Sequence, residues 1–242
     1  MTDDLSVAAT QPSEEPVAFD LKGGVAGARR ALPIALSVCA YGLVFGVVAQ
    51  QARLSLLEVL LMSGLVFAGS AQLIVLSLWA MPLPIAAILL TTLIVNLRNL
   101  LLGAAISPWF SRLPPLKAYT SIFFLADENW ALTMGEFAKG KRNAAFLLGS
   151  GLVLYVAWVG STVVGRTLGD VVHDPARFGL DFAFTAVFLS LLVGLWKGKA
   201  DLLPWVVAAI VAVAAAHVLP GKWYILLGGL AGSVAGVVRH AD

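Results

Sequence analysis

Charge is scarce in this chain. Of its 242 residues only 12% are charged, 16 basic against 14 acidic, for a net charge of +2. So small a surplus, with no basic run, argues against a nucleic-acid partner. The one cysteine, Cys39, lies in an apolar stretch, has no partner for an internal disulfide, and reads as a small packing residue. His173, His217 and His240 have neither mutual spacing nor neighbouring Cys or carboxylate ligands, so no metal site is expected. No glycine-rich phosphate loop suggests ATP hydrolysis, and no nucleophile–base pair marks a catalytic residue.

What the chain has in quantity is apolar sequence. It is 60% hydrophobic, with a mean hydropathy of +0.90, and the apolar residues fall in long runs of the kind that span membranes. Eight candidate spans follow: Ala31–Ala49, Leu56–Ala80, Ile85–Ser107, Ala118–Ala138, Asn143–Val164, Phe182–Trp196, Leu202–Leu219 and Trp223–Val238. Met81-Pro82-Leu83-Pro84, Leu113-Pro114-Pro115 and Pro220-Gly221 supply the breaks. Phe182–Trp196 and Trp223–Val238 fall short of the roughly 20 residues of a full crossing. The expected fold is therefore all-α, a polytopic integral-membrane helical bundle of about seven to eight spans.

The first thirty residues differ from the rest. Asp3, Asp4, Glu14, Glu15 and Asp20 alternate with Ser, Thr, Pro and Gly, the composition of a disordered acidic tail. They show neither the basic start nor the early apolar run of a secretory signal. Lys22, Arg29 and Arg30 then read as interface anchors ahead of a transmembrane permease domain over residues 31–238. With eight spans, the N-terminal side holds Lys22, Arg29, Arg30, Lys139, Lys141, Arg142, Lys197, Lys199 and Arg239. The other side holds Arg53, Arg112, Lys117, Arg166, Arg177 and Lys222. Nine against six favours both termini in the cytoplasm.

Three polar islands interrupt the apolar runs near their middles: Phe67-Ala68-Gly69-Ser70-Ala71-Gln72, Asn96-Leu97-Arg98-Asn99 and Asp127-Glu128-Asn129. A charge at that depth costs about 3 kcal/mol on insertion scales, a cost that packing alone does not offset. In the first island a break near Gly69-Ser70, with Ser70 as cap, would aim the amides of Ala71, Gln72 and Leu73 inward, a half-helix N-terminus suited to a carboxylate. The competing reading is close packing of small residues against another helix. In the second, Thr92, Asn96, Asn99 and Gly103 share one helical face, while Arg98 points about 160–200° from Asn96 and needs an anionic partner. That partner is either a fixed structural carboxylate, Asp127 or Glu128, or a substrate. In the third, Asp127 and Glu128 face directions about 100° apart, so at most one pairs fully with Arg98. The other is suited to proton coupling or to a substrate ammonium; its competing reading is a carboxyl facing a wet vestibule. Phe67, Leu73, Phe124 and Trp130 flank the islands as an apolar wall.

These strings, with Val95-Asn96-Leu97-Arg98-Asn99-Leu100-Leu101-Leu102-Gly103-Ala104, Leu125-Ala126-Asp127-Glu128-Asn129-Trp130-Ala131-Leu132 and Leu180-Asp181-Phe182-Ala183 in this order, resemble the AzlC family from about Gly27 to the last span. Members are the large subunits of branched-chain amino acid exporters. The resemblance implies export of leucine, isoleucine, valine and related residues such as methionine across a bacterial inner membrane. It also implies a small AzlD-like membrane subunit as partner. The islands themselves offer Gly69, Ser70, Ala71, Gln72, Asn96, Asn99, Asp127 and Glu128 to the substrate, with Arg98, Asp127 and Glu128 as the ion-pair or coupling groups. No cofactor is expected beyond a coupling proton. Two positions depart from the pattern: Asn99 stands where His commonly follows Asn-Leu-Arg, and Ala126 where Thr usually precedes Asp-Glu. The lost imidazole bears on coupling and substrate preference rather than on fold.

Two alternatives stay open. One is uptake of another small amino acid or organic solute. The other is an integral-membrane enzyme using Asp127 or Glu128, which the mid-depth position of the islands disfavours. Gly228, Gly232 and Gly236 form a close-packing face, for another helix of this chain first and for the small subunit second; an oligomer of the chain also stays open. Asp181 reads as a helix cap.

Overall fold

The computed structural model describes residues 17–171, 202–219 and 223–241, with Leu189, Val193 and Gly198 singly. Apart from those two apolar positions the expected span Phe182–Trp196 lies outside the described residues, as do Asp181 and His173. Among the described residues there is no strand, only nine helices. They are α1 (Leu21–Gln51), α2 (Leu56–Val66), α3 (Gly69–Ser77), α4 (Ile85–Phe110), α5 (Pro115–Phe123), α6 (Asp127–Ala138), α7 (Ala145–Val171), α8 (Leu202–Val218) and α9 (Trp223–Ala241). Three are long and apolar enough to cross a membrane: α1, α4 and residues Ala145–Gly169 of α7. Leu93, Leu100 and Leu101 of α4 are exposed, as lipid-facing side chains are in the absence of lipid.

Local chemistry explains several boundaries. Ser55 caps α2, its hydroxyl accepting from the Glu58 amide at 3.3 Å while the Glu58 carboxylate accepts from the Ser55 amide at 2.7 Å. Pro115 opens α5 at the position where its missing N–H costs nothing. α1 begins at Leu21, ten residues ahead of the expected first span at Ala31. Its extra turns hold Lys22, Arg29 and Arg30 in helix rather than in tail.

The chain divides into two compact units: Met1–Cys39 with Arg98–Val159, and Ala40–Leu97 with Gly160–Asp242. In the first, the early turns of α1 and α7 pack backbone to backbone. A side chain on Gly27 would run into the Phe146 backbone, and one on Gly149 into that of Gly24. Just ahead of α1, Ala18 donates to the Arg142 carbonyl at 2.8 Å and accepts from the Ala144 amide at 2.9 Å. Asp20 accepts from the Gly23 amide at 2.9 Å and from the Asn143 side chain at 2.8 Å. The Gly23 amide, then Asn143, hold the Asp20 carboxyl below the usual carboxylate range.

Contacts of α6 with α4 correct one sequence expectation. Asp127 meets Arg98, Trp130 donates to the Leu102 carbonyl at 3.1 Å, and Phe137 stacks on Trp109 at 4.6 Å. Both helices advance together along these contacts, so α6 runs parallel to α4. α5 must therefore carry the chain back, and the start of α5 indeed lies with the start of the chain: Lys117 sits 5.1 Å over the Phe19 ring. Ala118–Ala138 is thus not a crossing but a re-entrant pair of half-helices that leaves and rejoins one end. A buried cluster of Ile106, Phe110, Leu125, Phe137, Ala144 and Leu147, with Val17 and Phe19 against it, holds that end together.

In the second unit, the later turns of α1 and α7 repeat the close approach. Gly46 lies against the backbone at Thr162 and Arg166, and Gly165 against that of Leu43. Arg166 donates to the Leu54 carbonyl at 2.8 Å. α8 and α9 pack as a pair through Gly228 on Ala208 and Ala212, and Gly232 on Pro204 and Ala208. The glycine face on the last span therefore packs within this chain. A contrast between two glycines tests the backbone contact of α1 with α7. Gly27→Val should abolish the monodisperse detergent-solubilised protein, whereas Gly103→Ala, with nothing within 4 Å of an added Cβ, should leave its melting temperature within a few degrees. Size-exclusion profiles and thermal melts read both.

Candidate functional site

Each polar island at a break solves the same problem. A helix interrupted inside a membrane exposes amides and carbonyls that have no water to meet. In the first unit the break spans Phe124–Ala126, between α5 and α6. Asn129, fully buried, repairs it from the first turn of α6: its carbonyl oxygen accepts from the Ala126 amide at 2.8 Å, and its side-chain NH2 donates to the Phe124 carbonyl at 2.7 Å. Ala126, at the N-cap, has no side-chain oxygen to share that task. Gly151 of α7 makes room: a Cβ there would lie 2.6 Å from the Phe124 carbonyl oxygen and 2.8 Å from Asn129 Nδ2.

This repaired turn presents the acidic pair. Asp127 and Glu128 occupy the first turn of α6, where carboxylates complement the helix dipole. Arg98 Nη1 lies 2.6 Å from Asp127 Oδ2, and both side chains are about half exposed, 44% and 46%. Glu128 turns about 100° from Asp127 on the helix. One cation against two carboxylates leaves the site with a formal charge of −1, able to receive an ammonium or a proton. Phe123, Phe124 and Tyr155 form an aromatic corner beside the turn, with Phe124 edge-on to Tyr155 at 5.1 Å. Tyr155 carried no signal in the sequence. It is one tyrosine in an apolar run, and only the approach of α7 brings it here.

In the second unit the break falls at Phe67–Ala68 rather than at Gly69-Ser70. Phe67 takes a left-handed conformation, φ 43° and ψ 48°, and Gly69 is already the first residue of α3. Ser70 is not the cap. Buried Gln72 takes that part, its carbonyl oxygen accepting from the Ala68 amide at 3.2 Å while its NH2 donates to Ser63 at 3.3 Å. The expected inward amides also shift: the Gln72 amide is committed to the Ala68 carbonyl, and helix geometry commits that of Leu73 to Gly69. Gly69, Ser70 and Ala71 form the first turn of α3. Thr92, Asn96 and Asn99 lie half-buried on α4. Of the expected apolar wall, Leu73 is buried in α3, while Phe124 and Trp130 belong to the first unit's turn.

A protein-family model described as AzlC protein matches residues 33–172, more than half of the chain. The chain belongs to the AzlC family. The match takes in both repaired breaks and the Arg98–Asp127 pair, and it ends with α7. An uncharacterized membrane protein of Archaeoglobus fulgidus is 31% identical over 169 residues, 69% of this chain and 73% of that one. The inner membrane protein YgaZ of Escherichia coli is 27% identical over 182 residues, 73% of this chain and 74% of its own. The Bacillus subtilis branched-chain amino acid transport protein AzlC is 24% identical over 166 residues, 68% of this chain and 65% of its own. No solved structure matches the chain.

Within this AzlC-family protein the ion pair can be weighed by a double-mutant cycle. Arg98→Gln leaves Asp127 uncompensated and should cut membrane abundance severalfold. Arg98→Gln with Asp127→Asn should restore most of it, a coupling of about 1–3 kcal/mol. Quantitative immunoblots of membrane fractions read the cycle, and additive losses would show that the two side chains act separately.

Proposed function

We propose that this membrane protein is a secondary permease for branched-chain amino acids, exporting leucine, isoleucine, valine and methionine from the cytoplasm. In this reading it is the large subunit of a two-component transporter with an AzlD-like small membrane subunit. The observation that carries the reading is the Arg98–Asp127 pair with Glu128 on a repaired helix break. Carboxylates in a spanning bundle serve ion or substrate pathways far more often than packing. The transport name of the Bacillus subtilis relative supports the substrate class. In the proposed cycle, Asp127 exchanges Arg98 for the substrate ammonium, and Glu128 carries the coupling proton.

Efflux from cells loaded with branched-chain dipeptides tests this directly. Asp127→Asn should lower efflux at least tenfold per inserted molecule, with membrane abundance measured in parallel, and Gln72→Ala should do the same by opening the turn at Ala68. Wild-type rates in Asp127→Asn would end the proposal. Accumulation of external leucine by the wild type, without efflux, would reverse the direction.

The N-terminus is proposed to be cytoplasmic. The re-entrant course of α5 and α6 moves Arg112 and Lys117 to the end that already holds Lys22, Arg29, Arg30, Lys139, Lys141 and Arg142, leaving Arg53 just past the last residue of α1 and Arg166 in the last turns of α7. That sharpens the positive-inside bias for this part of the chain. Cysteine introduced at Ser111, in a Cys39→Ala background, should therefore label with impermeant maleimide only in inverted vesicles. Labelling in right-side-out vesicles would restore Ala118–Ala138 as a full crossing.

A further inference from the structure

Three cations converge on one carboxylate at the end of α6. Glu136 Oε2 accepts from Lys141 Nζ at 2.5 Å, and Glu136 Oε1 lies 3.2 Å from Lys139 Nζ and 3.9 Å from Arg30 Nη2. The Glu136 side chain is only 10% exposed, whereas those of Arg30, Lys139 and Lys141 are 61%, 62% and 63% exposed. One anion cannot neutralise three cations, so the cluster has a formal charge of +2 with its positive groups turned outward.

Depth says what such a cluster meets. α1 has 31 residues, about 46 Å of helix, against a hydrocarbon core of about 30 Å. Its uninterrupted apolar stretch begins right after Arg30, so the cluster lies where hydrocarbon gives way to phosphate. Below it α1 turns apolar, with Leu32 and Leu36 60% and 77% exposed on the face that continues from Arg29 rather than from Arg30.

We propose that Arg30, Lys139 and Lys141 bind the phosphate of an anionic phospholipid whose acyl chains enter the hydrocarbon that begins below the cluster. Glu136 is the fixed counter-ion that holds the three donors together. A zwitterionic lipid brings its own ammonium into the cluster and is a poorer fit. A free phosphate ester has no acyl chain to place in that hydrocarbon layer.

Native mass spectrometry of the full chain in detergent tests this, with phosphatidylglycerol, phosphatidylcholine and glycerol phosphate at matched concentrations. The wild type should retain phosphatidylglycerol at least fivefold over phosphatidylcholine. Lys139→Gln with Lys141→Gln should lose that preference, and Lys139→Arg with Lys141→Arg should keep it. Equal retention of the two lipids by the wild type would overturn the proposal without recourse to any variant. So would unchanged preference in the glutamine variant, or displacement of the lipid by equimolar glycerol phosphate, which would mark a soluble-anion site.

Discussion

Every backbone amide and carbonyl within the hydrocarbon must find its partner inside the protein, and this chain breaks its helices there. Two buried amide side chains make that possible. Gln72 and Asn129 each reach back from the first turn of a half-helix to the amide at its N-cap, and each spends its NH2 on the preceding segment. Asn and Gln suit the task because one side chain offers both an acceptor and a donor and carries no charge to desolvate. The turn that exposes Asp127 and Glu128 is held by Asn129, so the geometry of the acidic pair follows from the cap rather than from the carboxylates.

Charge is handled differently at the two depths. At the turn, Arg98 holds Asp127 at 2.6 Å, and Glu128 is left to give the site its negative sign. At the membrane boundary the balance is reversed, with Glu136 outnumbered by Arg30, Lys139 and Lys141. Arginine, which keeps its proton at any depth, takes the deeper position, and the lysines with strongly hydrated heads stand at the edge beside Arg30. The same end is stitched by Ala18 to the start of α7 and by Phe19 to Lys117, so the base of the re-entrant pair is fixed on both of its strokes.

The helical class, the membrane setting and the family were legible because each rests on composition or on short strings. The polar islands were legible too, since a charge in an apolar run has no local explanation. Their roles were less so. Ser70 looked like a cap from its type and place, yet a glutamine two residues on, with a longer reach, took the position. Ala118–Ala138 has the length and hydropathy of a crossing, and nothing in a one-dimensional pattern separates one full helix from two half-helices joined by a turn. Tyr155 was missed because its aromatic partners are distant in sequence, and the Glu136 cluster because Arg30, which joins the neighbouring Lys139 and Lys141, is distant too.

By itself, then, the sequence determined what must be buried in lipid and which side chains are too costly to lie there without a partner. Those are properties of each residue's own transfer free energy. Only the tertiary structure decided the direction of the chain after Pro115, the pairing of Arg98 with Asp127 rather than Glu128, and the gathering of three cations on Glu136. Those depend on where α4, α6 and α1 pass one another. Trp130 on Leu102 and Phe137 on Trp109 set the passage of α6 along α4, and the backbone approach at Gly27 that of α1, at distances no local preference encodes.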